Sequence, residues 1–206
     1  MSFVTLLDYI GIIVFVITGA LVAARNENDI ISFVILGAVT GIGGGTLRDI
    51  MLGQTPVFWI REPIYIYICL ATSVMTFFTA HFISRYQKYI LWADALGMAL
   101  FSVVGAQIAL GAGAPEAVAV LMGVITAIFG GIIRDTLSGN ESLIMRKEIY
   151  ATASFAGALT YVALEHFQIL PTGITLWIGV AVTFLLRGAA IIYNLRLPGY
   201  RWVRTP

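Results

Sequence analysis

One stretch of this chain is written twice, and each copy holds an odd number of membrane-length apolar segments. Displaced by 86 positions without a gap, Asp8 falls on Asp94, Gly11 on Gly97, Phe15 on Phe101 and Gly19-Ala20 on Gly105-Ala106. The same displacement sets Gly37 on Gly123, Thr40 on Thr126, Gly44-Gly45 on Gly130-Gly131, Arg48-Asp49 on Arg134-Asp135 and Gly53 on Gly139. Agreement of this extent is far beyond chance at this composition and marks an internal repeat. Each copy carries three apolar segments. Because three is odd, the second copy starts on the opposite side of the membrane and runs inverted. Solute and ion pathways form where such copies meet.

The composition places the chain in the bilayer. Of 206 residues 59% are hydrophobic and only 11% charged, and the mean hydropathy is +0.93. A water-soluble core of this size needs far more polar surface to cover it. Long apolar runs rather than short alternating ones make the protein all-α, since helices satisfy their own backbone groups in lipid. A net charge of +1 and the lack of a basic arm argue against nucleic acid. Cys69 has no second cysteine to pair with. No basic residue precedes the first apolar segment, which is expected to be a retained span rather than a cleaved signal. One membrane domain, 1–206, is expected: repeat one over 6–84, repeat two over 90–166, a seventh helix over 172–194 and a basic tail over 195–206.

A crossing helix needs roughly 20 apolar residues. Seven runs qualify: Leu6–Ala24, Ile30–Leu52, Ile64–Ile83, Ile90–Leu110, Ala117–Leu137, Ile149–Leu164 and Ile174–Tyr193. With seven spans, the amino terminus shares its side with Arg48 and Arg61 alone. The other ten basic residues, among them Arg25, Lys88, Arg134, Arg187 and Arg196, collect opposite. Positive residues stay cytoplasmic, so the amino terminus is expected outside and the carboxy terminus in the cytoplasm, in a cell inner membrane.

The second span reads Gly37 to Asp49 with Gly43-Gly44-Gly45-Thr46 inside it, and the fifth repeats the pattern with Phe129-Gly130-Gly131. Glycines in a helix each cost about 1 kcal/mol relative to Ala and free the backbone to bend. A helix broken at membrane depth must face protein or a water-filled cavity. Its freed carbonyls, with hydroxyls from Thr40, Thr46 and Thr126, would suit a cation shedding water. Close packing is the alternative, because Gly37, Gly41 and Gly45 form a small-xxx-small ridge. A dinucleotide fingerprint is excluded by the missing last glycine and by the apolar flanks.

Arg48-Asp49 and Arg134-Asp135 are expensive in a span unless paired or wet. They serve either a polar vestibule at each mouth or an intramolecular ion pair with interfacial anchoring. Asp8 and Asp94 open the first span of each copy, where the helix dipole favours capping; lining the mouths is the alternative. Glu62 and Glu148 suit the starts of the spans that follow them. Arg187 is expected to snorkel to the interface, with the Arg196, Arg201 and Arg204 tail anchored on anionic lipid. Trp59 and Trp92 fit an aromatic belt. His81 and His166 stand alone, so no fixed metal site is expected. No nucleophile sits beside a base and no zinc spacing occurs, so no enzyme and no cofactor are implied. Asn140-Glu141-Ser142 matches a glycosylation sequon but falls on the cytoplasmic side.

At the doubled Gly-Gly-x-x-Arg-Asp pattern the chain resembles the prokaryotic trimeric intracellular cation (TRIC) channels, also catalogued as the glycine-transporter-domain family. The resemblance runs the whole length. Asp8 to Ala20 is similar to the family's opening and Gly43-Gly44-Gly45-x-x-Arg48-Asp49 to its most specific motif. Phe129, standing where the second span has Gly43, departs from the pattern and narrows the expected path. The resemblance implies a homotrimer with a pore inside each protomer and potassium-favouring conduction of monovalent cations. It implies pore walls from glycine-kinked second and fifth spans, carried onto Thr40, Gly43, Gly44, Gly45, Thr126, Gly130 and Gly131, beside Thr46 and Phe129. The animal members' lipid-binding lysines find no counterpart.

Two mechanisms stay open. A passive cation channel binds ions loosely and needs no alternating access. A carrier for glycine or a similar zwitterion would use amide and carbonyl ends of broken helices for the two charges. A purely structural trimer would leave the glycines as packing.

Overall fold

Helices account for most of the computed structural model, which describes residues 3–83, 87–142, 145, 149–168 and 170–198. They are α1 (Phe3–Arg25), α2 (Ile30–Met51), α3 (Phe58–Arg61), α4 (Ile64–Ile83), α5 (Gln87–Gly111), α6 (Glu116–Leu137), α7 (Ala151–His166) and α8 (Thr172–Tyr193). Six of them are long and apolar enough to cross a membrane. The exceptions are α3, with 4 residues, and α7, whose 16 residues make it shorter than the other six. Each expected apolar run is a helix, with ends shifted by a few residues. The short α3 is additional and lies in the connection between the second and third of these runs.

Helices end where the chain supplies chemistry to end them. Asp29 caps α2, accepting from the Ser32 amide at 2.9 Å and the Ser32 hydroxyl at 2.7 Å. Just past α2 and α6, Gly53 (φ 66°) and Gly139 (φ 69°) take left-handed backbone. The Gln54 amide then returns to the Asp49 carbonyl, and the Asn140 amide to that of Asp135, each at 2.8 Å. These are two copies of one glycine-dependent helix stop, which is why the repeat retains a glycine there.

The two copies pack alike. Helices α1, α2 and α4 touch one another, as do α5, α6 and α7. Between the copies α1 meets α5 and α2 meets α6, while α8 lies on α5 and α7. Of the six long apolar helices, α1 and α5 are the most deeply enclosed and α4 the least. Phe15 and Phe101 meet edge to face with centroids 5.1 Å apart. The ring of Phe101 lies over Gly11 and that of Phe15 over Gly97, so each bulky residue fills the space its twin's glycine leaves. Position 11 meets 101 and 15 meets 97: one helix ascends as the other descends, as in an antiparallel pair.

The expected break in the glycine-rich helices does not occur. Both α2 and α6 run without interruption through Gly43-Gly44-Gly45 and Gly130-Gly131. The hydroxyls of Thr40 and Thr126 donate back to the Leu36 and Met122 carbonyls of their own helices, a local bond that bends helices without breaking them.

Candidate functional site

The nine glycine-region residues separate into three environments. Gly44 lies against the backbone of Thr126, and a Cβ placed on it would stand 2.1 Å from the Thr126 carbonyl oxygen. Gly130 meets Thr40 in the same way, again at 2.1 Å. The contact is reciprocal, because 44 pairs with 126 as 40 pairs with 130. Thr40, Gly44, Thr126 and Gly130 are therefore the buried crossing point of α2 and α6. Only glycine lets two helices approach this closely.

Gly43, Thr46 and Phe129 turn to the other side and line a groove of about 440 Å³, completed by Val39, Ile42, Trp59 and Ile133 among others. It is chiefly apolar. The Thr46 hydroxyl donates to the Ile42 carbonyl at 2.7 Å and accepts the Trp59 indole N–H at 2.9 Å.

Gly45 and Gly131 face two buried charge clusters. In the first, Arg48 donates from Nε and Nη2 to Asp49 Oδ1 at 2.9 and 2.7 Å. The second Asp49 oxygen accepts the Phe58 amide at 2.9 Å, so α3 is held in place by this carboxylate. Asp8 accepts the Tyr65 hydroxyl at 2.8 Å and lies within electrostatic reach of Arg48 and Asp49. The ring of Phe58 covers the Arg48 guanidinium at 5.7 Å. In the second cluster, Arg134 Nε donates to Asp135 at 2.9 Å, and its Nη1 donates to Asp94 at 2.9 Å and to Thr18 at 3.2 Å. One guanidinium thus holds both carboxylates there. Tyr150, fully enclosed, lies within electrostatic reach of Asp94, Arg134, Asp135 and Arg187. Charges this deep in an apolar protein persist only when paired and hydrogen-bonded.

The arrangement has recognisable counterparts. A protein-family model described as "Glycine transporter" matches residues 5–81 and 91–166. The solved TRIC trimeric intracellular cation channel orthologue from Rhodobacter sphaeroides is 51% identical, with a TM-score of 0.90 over 95% of this chain and 100% of that one. The chain belongs to the TRIC family. A second TRIC cation channel structure, concerned with the basis of conductance, is 31% identical with a TM-score of 0.88 and covers 100% of both chains. The inner membrane protein YadS of Escherichia coli (strain K12) is 39% identical over 94% of each chain. These relatives are channels and membrane proteins rather than enzymes.

Within this TRIC fold several expectations change. Asp8 and Asp94 are not caps: they lie inside α1 and α5, beyond the first turn, and bond to Tyr65 and Arg134. Their spacing from the helix start was masked by apolar residues on both sides. Arg187 does not snorkel. It is 1% exposed, donates to the Ile149 carbonyl at 3.2 Å and lies 5.2 Å over the Tyr150 ring. His166 does not stand alone, since its Nδ1 meets Glu116 Oε1 at the exposed ends of α7 and α6. No group of metal-ligating side chains occurs among the described residues. Glu148, Arg146, Lys147 and the tail from 199 onward lie outside the described residues. The sequence singled out none of Tyr65, Tyr150, Thr18 and Phe58. The tyrosines lie in or beside apolar runs and read there as core.

Proposed function

We propose that this TRIC protein is a passive channel for monovalent cations, potassium favoured. It would work as a homotrimer with one pathway inside each protomer. In this reading seven helices cross the inner membrane as two inverted three-helix repeats plus α8, with the amino terminus outside. Repeat one occupies 6–84, repeat two 90–166 and the seventh helix 172–194. The reciprocal contacts of α1 with α5 and α2 with α6 support the inversion, as does the separate family match in each half.

The observation that carries the reading is the crossing of α2 and α6 between two buried Asp–Arg–Asp clusters. Carboxylates held in a low-dielectric setting at either end of the crossing favour cations over anions. The crossing itself is the constriction, with Thr40, Gly43, Gly44, Gly45, Thr46, Thr126, Phe129, Gly130 and Gly131 on or beside the path. Similarity to cation channels at up to 51% identity supports the same conclusion.

Purified protein in planar bilayers under asymmetric KCl tests it. Single-channel steps with a cation-selective reversal potential are expected, with altered conductance in Gly44→Leu and Gly130→Leu. The family model's description supports a second reading, a glycine carrier. Silent bilayers together with saturable glycine counterflow in liposomes would establish that reading and overturn the channel.

A further inference from the structure

The charges of the two clusters match one for one across the repeat: Asp8 with Asp94, Arg48 with Arg134, Asp49 with Asp135. Arg187 has no twin, because α8 lies outside the repeat. It is nevertheless built into the second cluster, buried against Tyr150, which in turn lies among Asp94, Arg134 and Asp135. The second cluster thus sets two cations against its two carboxylates, where the first sets one. Hydrogen bonding widens the difference. Asp8 is held by a neutral phenol and Asp94 by a guanidinium.

We propose that Arg187 makes the pathway electrically one-sided, so that monovalent cations pass more readily from the first cluster toward the second than in reverse. This rests on the channel reading above. With the amino terminus outside, the first cluster faces outward and the favoured current is inward. A fixed negative charge at one mouth raises the local cation concentration there. The second mouth lacks that excess because Arg187 offsets it. At the separations found within such a cluster, one unit charge changes local cation occupancy by about three- to tenfold, and salt weakens the effect.

Currents recorded from spheroplast patches, where the protein's orientation is fixed, decide the matter. In symmetric KCl at about 0.1 M, where screening acts over about 10 Å, inward current is expected to exceed outward current several-fold. At about 1 M, where the screening length is about 3 Å, the relation becomes nearly linear. Arg187→Gln raises the outward limb and straightens the relation at low salt, whereas Arg187→Lys preserves the rectification. Asp8→Asn lowers the inward limb, which provides a readout even if the Arg187→Gln protein does not fold. A wild-type relation that is linear at low salt, or a folded Arg187→Gln channel rectifying like the wild type, overturns this inference and leaves the channel standing. Patches with no current overturn the channel reading, and this inference with it.

Discussion

Adding one methyl group to Gly44 separates the two uses a glycine can have in a membrane helix. A Cβ there would stand 2.1 Å from the Thr126 carbonyl oxygen, where ordinary contact begins at 3.4 Å, so α2 and α6 must part by over an ångström. Both sides of the contact are backbone, which leaves no side-chain rotamer to absorb the strain. Overpacking of this kind costs about 3 kcal/mol, at the upper end of its usual range. The gain in helix propensity on replacing Gly by Ala offsets about 1 kcal/mol. Gly44→Ala is therefore expected to destabilise the protein by about 2 kcal/mol. Gly43 is the control next door, because the one tight contact of its added Cβ is the terminal Ile133 Cδ1 at 3.2 Å, which can turn aside, while Gly130 Cα lies at an ordinary 3.8 Å. There the propensity gain prevails, and Gly43→Ala is neutral or stabilising by up to about 1 kcal/mol. Denaturant unfolding in detergent micelles, followed by tryptophan fluorescence, measures both. Gly130→Ala should match Gly44→Ala, and the double variant should cost less than the sum, because helices already parted admit the second methyl group. Equal stability of the Gly44→Ala and Gly43→Ala proteins would refute the close-approach reasoning.

Gly173, in the first turn of α8, has nothing within 4 Å of an added Cβ, so Gly173→Ala is expected to raise stability by about 0.4–1 kcal/mol in the same assay. Tyr65→Phe removes the donor at 2.8 Å from the buried Asp8 carboxylate, at an expected cost of about 1–3 kcal/mol. A double-mutant cycle with Asp8→Asn should show that this cost is coupled to the carboxylate. Hydrogen bonds from Ser32 hold the Asp29 carboxyl below its ordinary value of 3.8. Its capping contribution is accordingly complete above that pH and is lost as pH falls through the lower folded value. Thermal melts across acid pH should show this loss in the wild type and not in Asp29→Ala.

Much of this fold was legible because apolar runs and a displaced repeat are one-dimensional signals. Seven helical segments and the recurrence of Arg48-Asp49 as Arg134-Asp135 needed no knowledge of contacts. The glycines were harder, since spacing alone fits a broken helix as well as a close crossing. Only the position of the Thr126 and Thr40 carbonyls decides between them. Arg187 reads as interfacial because an arginine near a span end commonly is, whereas its burial depends on how α8 packs on the repeat. Tyr65 meets Asp8 across 57 positions of sequence, a distance no local pattern spans. The 4 residues of α3 are too few to show a helical period.

The reciprocal contacts have a consequence for origins. A surface that fits its own inverted twin needs no second surface to be invented. Under the inversion proposed above, a three-helix ancestor inserting in both directions would already have held Phe15 against Phe101 and Gly44 against Thr126, as the two faces of a symmetric dimer. Joining the halves then required little more than a connection between α4 and α5. Once joined, each half was free to diverge, as Phe129 in the position of Gly43 records, and α8 could bring Arg187 from outside the repeat.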